Sequence, residues 1–211
     1  MKQKILPSVM AKSQKELNDY FKRLKGATKH IHLDVGDGKF VPSKVLNFNF
    51  KLSKQFQYNA HLMMKNPQKW IEKNLKTIDI FIPQIEEIKS PQKYIDWIKS
   101  KKKKVAFALK PETKMEVIKP YLKNIEIILI LTVHPGFYGA KFLRSPLKKI
   151  SWIKKINPRI KIIVDGGMHP TTIGEAAKAG ADYFVSGSYT SKSDNPKRQI
   201  KKLLKAIRSE R

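Results

Sequence analysis

Cysteine is absent from the 211 residues, which excludes a disulfide framework, a cysteine nucleophile and any thiolate zinc or iron–sulfur site. Any metal must therefore be held by nitrogen and oxygen. Long apolar runs are missing too. No stretch approaches the roughly 20 residues that a spanning helix needs, so no membrane partner is expected. The lysine-bearing start, MKQKILPSVMAKSQ, is broken by Pro7 and Ser8 well short of a signal peptide's apolar segment, and a cytoplasmic location is expected. Acids are scarce, 17 against 44 basic residues, which leaves a formal net charge of +27. Arginine is scarcer still, supplying only six of those 44. A surface that reads bases or clamps phosphates draws heavily on the planar, bidentate guanidinium. Here lysines are spread along the whole chain, so the charge reads as a solvated surface and no nucleic-acid partner is expected despite it.

What is present is a globular composition, 41% hydrophobic, in a chain long enough to bury a sizeable core. Short β-branched runs fall at 4–10, 30–35, 57–64, 79–86, 104–110, 126–133, 160–165 and 182–187. Amphipathic stretches lie between them, clearest where Leu17, Tyr20, Phe21 and Leu24, and later Ile200, Leu203, Leu204 and Ile207, repeat at helical spacing. Pro67 and Pro196 stand at expected helix starts, and Gly26 and Gly180 at expected stops. Eight strand-helix units predict an α/β fold with a parallel sheet closed as a (β/α)8 TIM barrel, one domain over residues 1–211. The competing doubly wound sheet wants a glycine-rich turn after its first strand, and AKSQKEL after Met10 has no glycine.

In a barrel, chemistry belongs at the C-terminal ends of the strands. His32 and Asp34, two residues apart, project to one side of their strand; His61 ends the third strand's apolar core and Asp165 the seventh's. Singly, each suits a satisfied core histidine or a turn aspartate. Together, two His and two Asp at one end of apolar strands, in a chain poor in acids, form a donor set for a divalent transition metal. Glycines cluster at the same end, in Pro135-Gly136-Phe137-Tyr138-Gly139, Gly166-Gly167 and Gly187-Ser188. There they let backbone N–H groups approach a phosphate, which barrels often place beside the last two strands.

Several segments carry a resemblance: Pro7-Ser8, HIHLDVGDGKFVP (30–42), AHLM (60–63), ALKPET (108–113), TVHPGF (132–137), VDGG (164–167) and SGS (186–188). In this order, and almost end to end, they resemble the ribulose-phosphate 3-epimerase family. The resemblance implies a metal-dependent barrel that interconverts ribulose 5-phosphate and xylulose 5-phosphate, a phosphorylated ketose substrate, and a homo-oligomer rather than a monomer. It implies His32, Asp34, His61 and Asp165 as ligands of one divalent ion, with zinc, iron, manganese and cobalt all suited to the set. It implies Asp34 and Asp165 as the acid/base pair, and substrate contact by Ser8, His61 and Asp165. Gly136, Phe137, Tyr138, Gly139, Gly166, Gly167, Gly187 and Ser188 would hold the phosphate end. The chain departs from the family at Gly36 and Leu131, where methionine is usual, at Gln84, where histidine is usual, and at Tyr138-Gly139-Ala140 in the glycine loop. Those departures keep open an epimerase of a six-carbon ketose phosphate such as allulose 6-phosphate. Related decarboxylases and aldolase-like synthases keep a lysine two residues after the strand-two aspartate, and Gly36 argues against them. An inactive nucleic-acid-binding barrel is the reading from another class, and its sign would be salt-sensitive retention of RNA or DNA without turnover.

Overall fold

Residues 4–136 and 139–209 are described by the structure, a computed structural model. Each β-branched run forms a strand, most a few residues shorter than expected: β1 (Lys4–Val9), β2 (His30–Asp37), β4 (Gln57–Met63), β5 (Ile80–Pro83), β6 (Ala106–Leu109), β7 (Ile127–Leu131), β8 (Lys161–Asp165) and β9 (Tyr183–Ser186). They lie in the order β5-β4-β2-β1-β9-β8-β7-β6, all parallel. A parallel bridge between Gln84 and Ala108 joins β5 to β6 and closes the ring. The short β3 (Lys44–Val45) runs antiparallel to the end of β2.

Side chains alternate along each strand, so one set faces the lumen and the other the helices. Ile31, Leu33 and Val35 of β2, and Tyr58, Ala60 and Leu62 of β4, join the outer core beneath the helices. The lumen has its own apolar cluster, including Leu6, Ile82, Ala106, Ile127, Leu129, Leu131, Ile163 and Val185. Fully burying such a side chain is worth roughly 1.5–3 kcal/mol. Neither β2 nor β4 contributes to that lumen cluster; their inward residues are His30, His32 and Asp34, and Asn59 and His61. One wall of the barrel is therefore polar.

The outer helices are α1 (Gln14–Leu24), α2 (Gln68–Asn74), α3 (Pro91–Ser100), α4 (Leu147–Ile156), α5 (Ile173–Lys178) and α6 (Pro196–Ser209). Ser13 caps α1 by accepting the Glu16 N–H, and Leu17, Tyr20, Phe21 and Leu24 form its buried stripe. Gly26 and Gly180 follow α1 and α5 with φ of +74° and +104°, a left-handed stop that suits glycine. Pro196 opens α6, whereas Pro67 sits one residue before α2.

Two crossovers depart from the expected helix per strand. Between β2 and β4 the chain runs as β3 and loop, with Phe48, Phe50 and Leu52 packing on the core at a spacing of two, not three or four. Between β6 and β7 there are only 3-10 turns, at Met115–Val117 and Lys119–Tyr121. Pro120 stands in that second turn and lacks the N–H that a continuing α-helix would use.

The hairpin of β2 and β3 is tied down by Asp37. Its carboxylate accepts the backbone N–H groups of Lys39 and Phe40 at 2.8 Å and of Lys65 at 2.9 Å. Partial burial opposes ionisation, but those three donors outweigh it and hold the carboxyl below the usual aspartate value. Lys101 to Lys104 lie at the other end of the ring, between α3 and β6, so they enter the barrel from its N-terminal face.

Two outcomes are expected from this geometry. Because the folded Asp37 is depressed, its stabilisation is present above the unfolded value near 3.8 and is lost as pH falls through the folded one. Asp37→Asn should cost about 1 kcal/mol at pH 7 in urea unfolding, a difference that narrows as pH falls below the unfolded value near 3.8. Replacing Lys101–Lys104 together by glutamine should leave turnover within a few-fold. A loss of roughly 100-fold or more would contradict the barrel polarity.

Candidate active site

The polar wall ends in a cluster. Parallel pairing sets Asp34 of β2 beside His61 of β4, and His32 beside Asn59. Asp165, the last residue of β8, approaches from across the lumen, three steps around the ring from β2. His61 Nδ1 lies 3.4 Å from Asp34 Oδ1 and 3.5 Å from Asp165 Oδ2, and His32 Nε2 lies 3.3 Å and 3.9 Å from the same two oxygens. One donor atom from each of the four residues falls within 4.8 Å of all the others, a group that could hold a metal ion.

The burial of this cluster is costly. His32 and His61 are 0% exposed and Asp34 6%. Three of the four converging atoms, His32 Nε2, His61 Nδ1 and Asp34 Oδ1, are buried with no hydrogen-bond partner. Leaving such atoms unsatisfied costs on the order of 1–3 kcal/mol each. A cation among them would satisfy all three at once, so the residues fit a bound divalent ion. Without it, burial opposes the His61 imidazolium, yet the Asp165 and Asp34 carboxylates facing the ring outweigh burial and push its pKa up to about 9. Burial would likewise raise Asp34, but His32 and His61 outweigh it and hold the carboxyl well below the usual carboxylate range. Asp34 therefore stays ionised at neutral pH.

The outer nitrogens of the two rings are also held. His32 Nδ1 contacts the Asn59 side-chain oxygen, and His61 Nε2 lies 2.7 Å from the Gln84 side-chain nitrogen.

Above the cluster opens a pocket of about 340 Å³, lined among others by Ser8, Asp34, His61, Asp165, Gly136, Gly139, Gly166, Gly167, Gly187 and Ser188. The metal-candidate aspartates and the glycine turns therefore share one chamber. His32 lies beneath it, and Phe137 and Tyr138 fall outside the described residues. Gly166 cannot be replaced quietly: its φ is +111°, and a Cβ there would meet Val133 Cγ2 at 2.4 Å. Thr132 donates its hydroxyl to the Gly166 carbonyl at 2.7 Å, and Thr172 donates to the Gly167 carbonyl at 2.6 Å. With those carbonyls pinned, the turn after β8 is a rigid backbone wall.

Several pocket residues were not anticipated from sequence. Met10, Met63 and Met168 line it, as do His169 and Tyr189, whose rings meet edge to face at 4.7 Å. Met10 and Met63 continue the inward alternation of β1 and β4, a signal that was legible. His169 sits in the loop after β8 and Tyr189 in a single π-helical turn, Gly187–Ser191, where no periodicity announces them.

A closed parallel barrel with a buried His/Asp cluster at its C-terminal mouth, opening into a glycine-lined pocket, defines a barrel enzyme with a candidate metal centre. The ribulose-phosphate 3-epimerase family model matches residues 4–190. Ribulose-phosphate 3-epimerase of Helicobacter pylori strain 26695 is 33% identical over 210 residues, covering 95% of this chain and 96% of the relative. That of Methanocaldococcus jannaschii is 32% identical, covering 96% and 90%, and the cytoplasmic isoform of Oryza sativa is 32% identical, covering 84% and 82%. The chain belongs to the ribulose-phosphate 3-epimerase family and is an isomerase. Among solved structures, a tryptophan synthase alpha-subunit mutant from Pyrococcus furiosus superposes with TM-score 0.68 at 16% identity over 99% of this chain and 100% of that one. The 3-hexulose-6-phosphate synthase of Salmonella typhimurium gives 0.67 at 13%, over the same shares. At such identities these two show the fold alone.

Elemental analysis of purified protein tests the cluster. His32→Ala and His61→Ala should each lose the bound metal while circular dichroism reports a retained fold. Full occupancy in both variants would show that the ion sits elsewhere.

Proposed function

We propose that the chain interconverts ribulose 5-phosphate and xylulose 5-phosphate by moving a proton at C3, with one divalent ion held by His32, Asp34, His61 and Asp165. The observation that carries this reading is that both aspartates of the cluster line the same pocket as the glycine turns. Inverting a carbon next to a ketone means removing a proton on one face of a flat enediolate and returning one on the other. Two acid/base groups on opposing walls are required, and β2 and β8 are separated by β1 and β9 on one side of the ring. Asp34 and Asp165 each have one oxygen turned toward the two histidines, so the second oxygen of each is left to take or give the proton. A bound divalent ion supplies Lewis-acid stabilisation of the negative charge that develops on the substrate's oxygens. Ser8 hydrogen-bonds the substrate from the end of β1.

The phosphate is received by the backbone at Gly136, Gly139, Gly166, Gly167, Gly187 and Ser188, and Phe137 and Tyr138 are proposed to contact it as well. Pinning the Gly166 and Gly167 carbonyls to Thr132 and Thr172 fixes the peptide planes, so their opposite edges offer N–H groups at no further ordering cost. The whole chain acts as one catalytic domain. We place its work in the cytoplasm, the compartment that the rice relative's name gives for that protein.

We take the five-carbon substrate over a six-carbon one. Of the departures, Leu131, Gly139 and Ala140 line the chamber, and Gly36 and Gln84 do not. A Cβ at Gly36 would fall 2.5 Å from the Ser43 carbonyl oxygen, so glycine there serves the β2–β3 hairpin rather than widening the pocket. Gln84 is 0% exposed and turned toward His61.

Solvent exchange in deuterated water tests the two-acid mechanism. With metal content measured beside every rate, Asp165→Asn should stop inversion yet slowly exchange the C3 hydrogen of one epimer, and Asp34→Asn that of the other. If both variants hold their metal and exchange the same epimer, or either inverts at near the parental rate, another group moves the proton.

A further inference from the structure

Each buried histidine has one ring nitrogen facing the carboxylates and one facing a carboxamide, but the two rings are turned opposite ways. His32 presents Nε2 to Asp34 and Asp165 and gives Nδ1 to the Asn59 oxygen; His61 presents Nδ1 and gives Nε2 to Gln84. A ring nitrogen can donate a lone pair to a cation only if the ring's hydrogen sits on the other nitrogen. Asn59 meets that condition for His32, since its oxygen accepts the Nδ1–H and leaves Nε2 bare. Gln84 is placed with its NH2 toward His61 Nε2, while its own Oε1 is buried without any partner. That orientation puts the His61 hydrogen on Nδ1, in the space among the carboxylates that a cation would take. Turning the amide by 180° about its last bond lets Oε1 accept Nε2–H, so that Nδ1 carries the lone pair.

The geometry points to Gln84 as a positioning residue: its side-chain oxygen fixes His61 with hydrogen on Nε2, opposite to the hydrogen that Asn59 fixes on Nδ1 of His32. This rests on reading the cluster as a metal centre. Gln84 can do it because the strand pairing puts it there. Ile80, Ile82 and Gln84 alternate along β5 and its extension, and the register aligns His61 with Ile82, which brings Gln84 against the outer edge of the imidazole. The Gln84 backbone is separately engaged in the bridge to Ala108, which restrains the side chain's origin. Both orienting groups are neutral, so the charge facing a divalent ion comes from Asp34 and Asp165 alone. The two carboxylates balance it.

Nitrogen-15 NMR of histidine-labelled, zinc-loaded protein reads the ring hydrogens directly. The expected result is Nδ1–H on His32 and Nε2–H on His61; Nδ1–H on His61 overturns the assignment. Zinc affinity, measured by chelator competition, should fall roughly 10- to 100-fold in Gln84→Leu and return to within about threefold of the parent, or above it, in Gln84→Glu, which restores an acceptor. Parent-like affinity in a folded Gln84→Leu overturns the proposal while leaving the metal centre standing. If the parent takes up no zinc, the metal reading itself fails. The proposal, which rests on that reading, then falls with it, whereas parent-like affinity in Gln84→Leu removes the proposal alone.

Discussion

Everything at the mouth of this barrel depends on one burial that the protein alone does not balance. His32 Nε2, His61 Nδ1 and Asp34 Oδ1 are taken out of water and given no hydrogen-bond partner. At on the order of 1–3 kcal/mol for each, such a debt is a large fraction of a domain's marginal stability. The lumen's apolar half, from Leu6 and Ile82 round to Leu131 and Val185, offsets it with well-packed side chains. On the proposed metal reading the remainder is coupled to the ion, because a ligand that binds only the folded state adds stability as its concentration rises above its dissociation constant. Folding and loading of the proposed centre are in this sense one equilibrium.

The closed parallel sheet lets such a centre be placed with few residues. Strand alternation turns every second side chain inward, and parallel pairing sets neighbouring strands in fixed register. Asp34 beside His61, His32 beside Asn59 and Ser8 beside His32 are consequences of that register. Only Asp165 comes from across the ring, and its position is secured by the turn that follows it. Thr132 donates its N–H to the Asp165 carbonyl at 2.8 Å, and its hydroxyl, which donates to Gly166, lies 3.0 Å from the same carbonyl. A β-branched residue just past β7 thereby holds the C-terminal end of β8.

Much of this was legible in the sequence because it is local. The pair His32 and Asp34, two apart in an apolar strand, already states that both point one way, and the absence of any glycine between Met10 and Leu17 removes the rival fold. What could not be read depends on contacts between strands. Gln84 looked like a mere departure from a family pattern because nothing in IFIPQIE says that its side chain meets His61; that follows only from the β4–β5 register. Asn59 was hidden in the same way, although YNAHL alternates polar and apolar residues and so carries a trace of it. The repeat of strand-helix units predicts a helix between β2 and β4, a rule about the whole fold that the local spacing of Phe48, Phe50 and Leu52 contradicts. His169 in its loop and Tyr189 in its short π-helical turn are positioned by tertiary packing.

The charge, so prominent in composition, plays a different part from the one it first invites. With 44 lysines and arginines in the chain, none is among the described residues lining the pocket. The titratable groups there are Asp34, His61, Asp165, His169 and Tyr189. On the proposed function, a phosphorylated substrate would meet backbone amides and one exposed imidazole at close range. The lysines act from further off, on helix faces such as that of α6, as a diffuse positive field. A field of that kind raises the rate at which anions arrive, is damped by salt over about 10 Å, and contributes little to how tightly they are held once seated. Keeping cations out of the pocket has a second effect. A lysine beside Asp34 and Asp165 would compete with the divalent ion for the same two carboxylates, so segregating the lysines to the outside leaves both charges available to the metal.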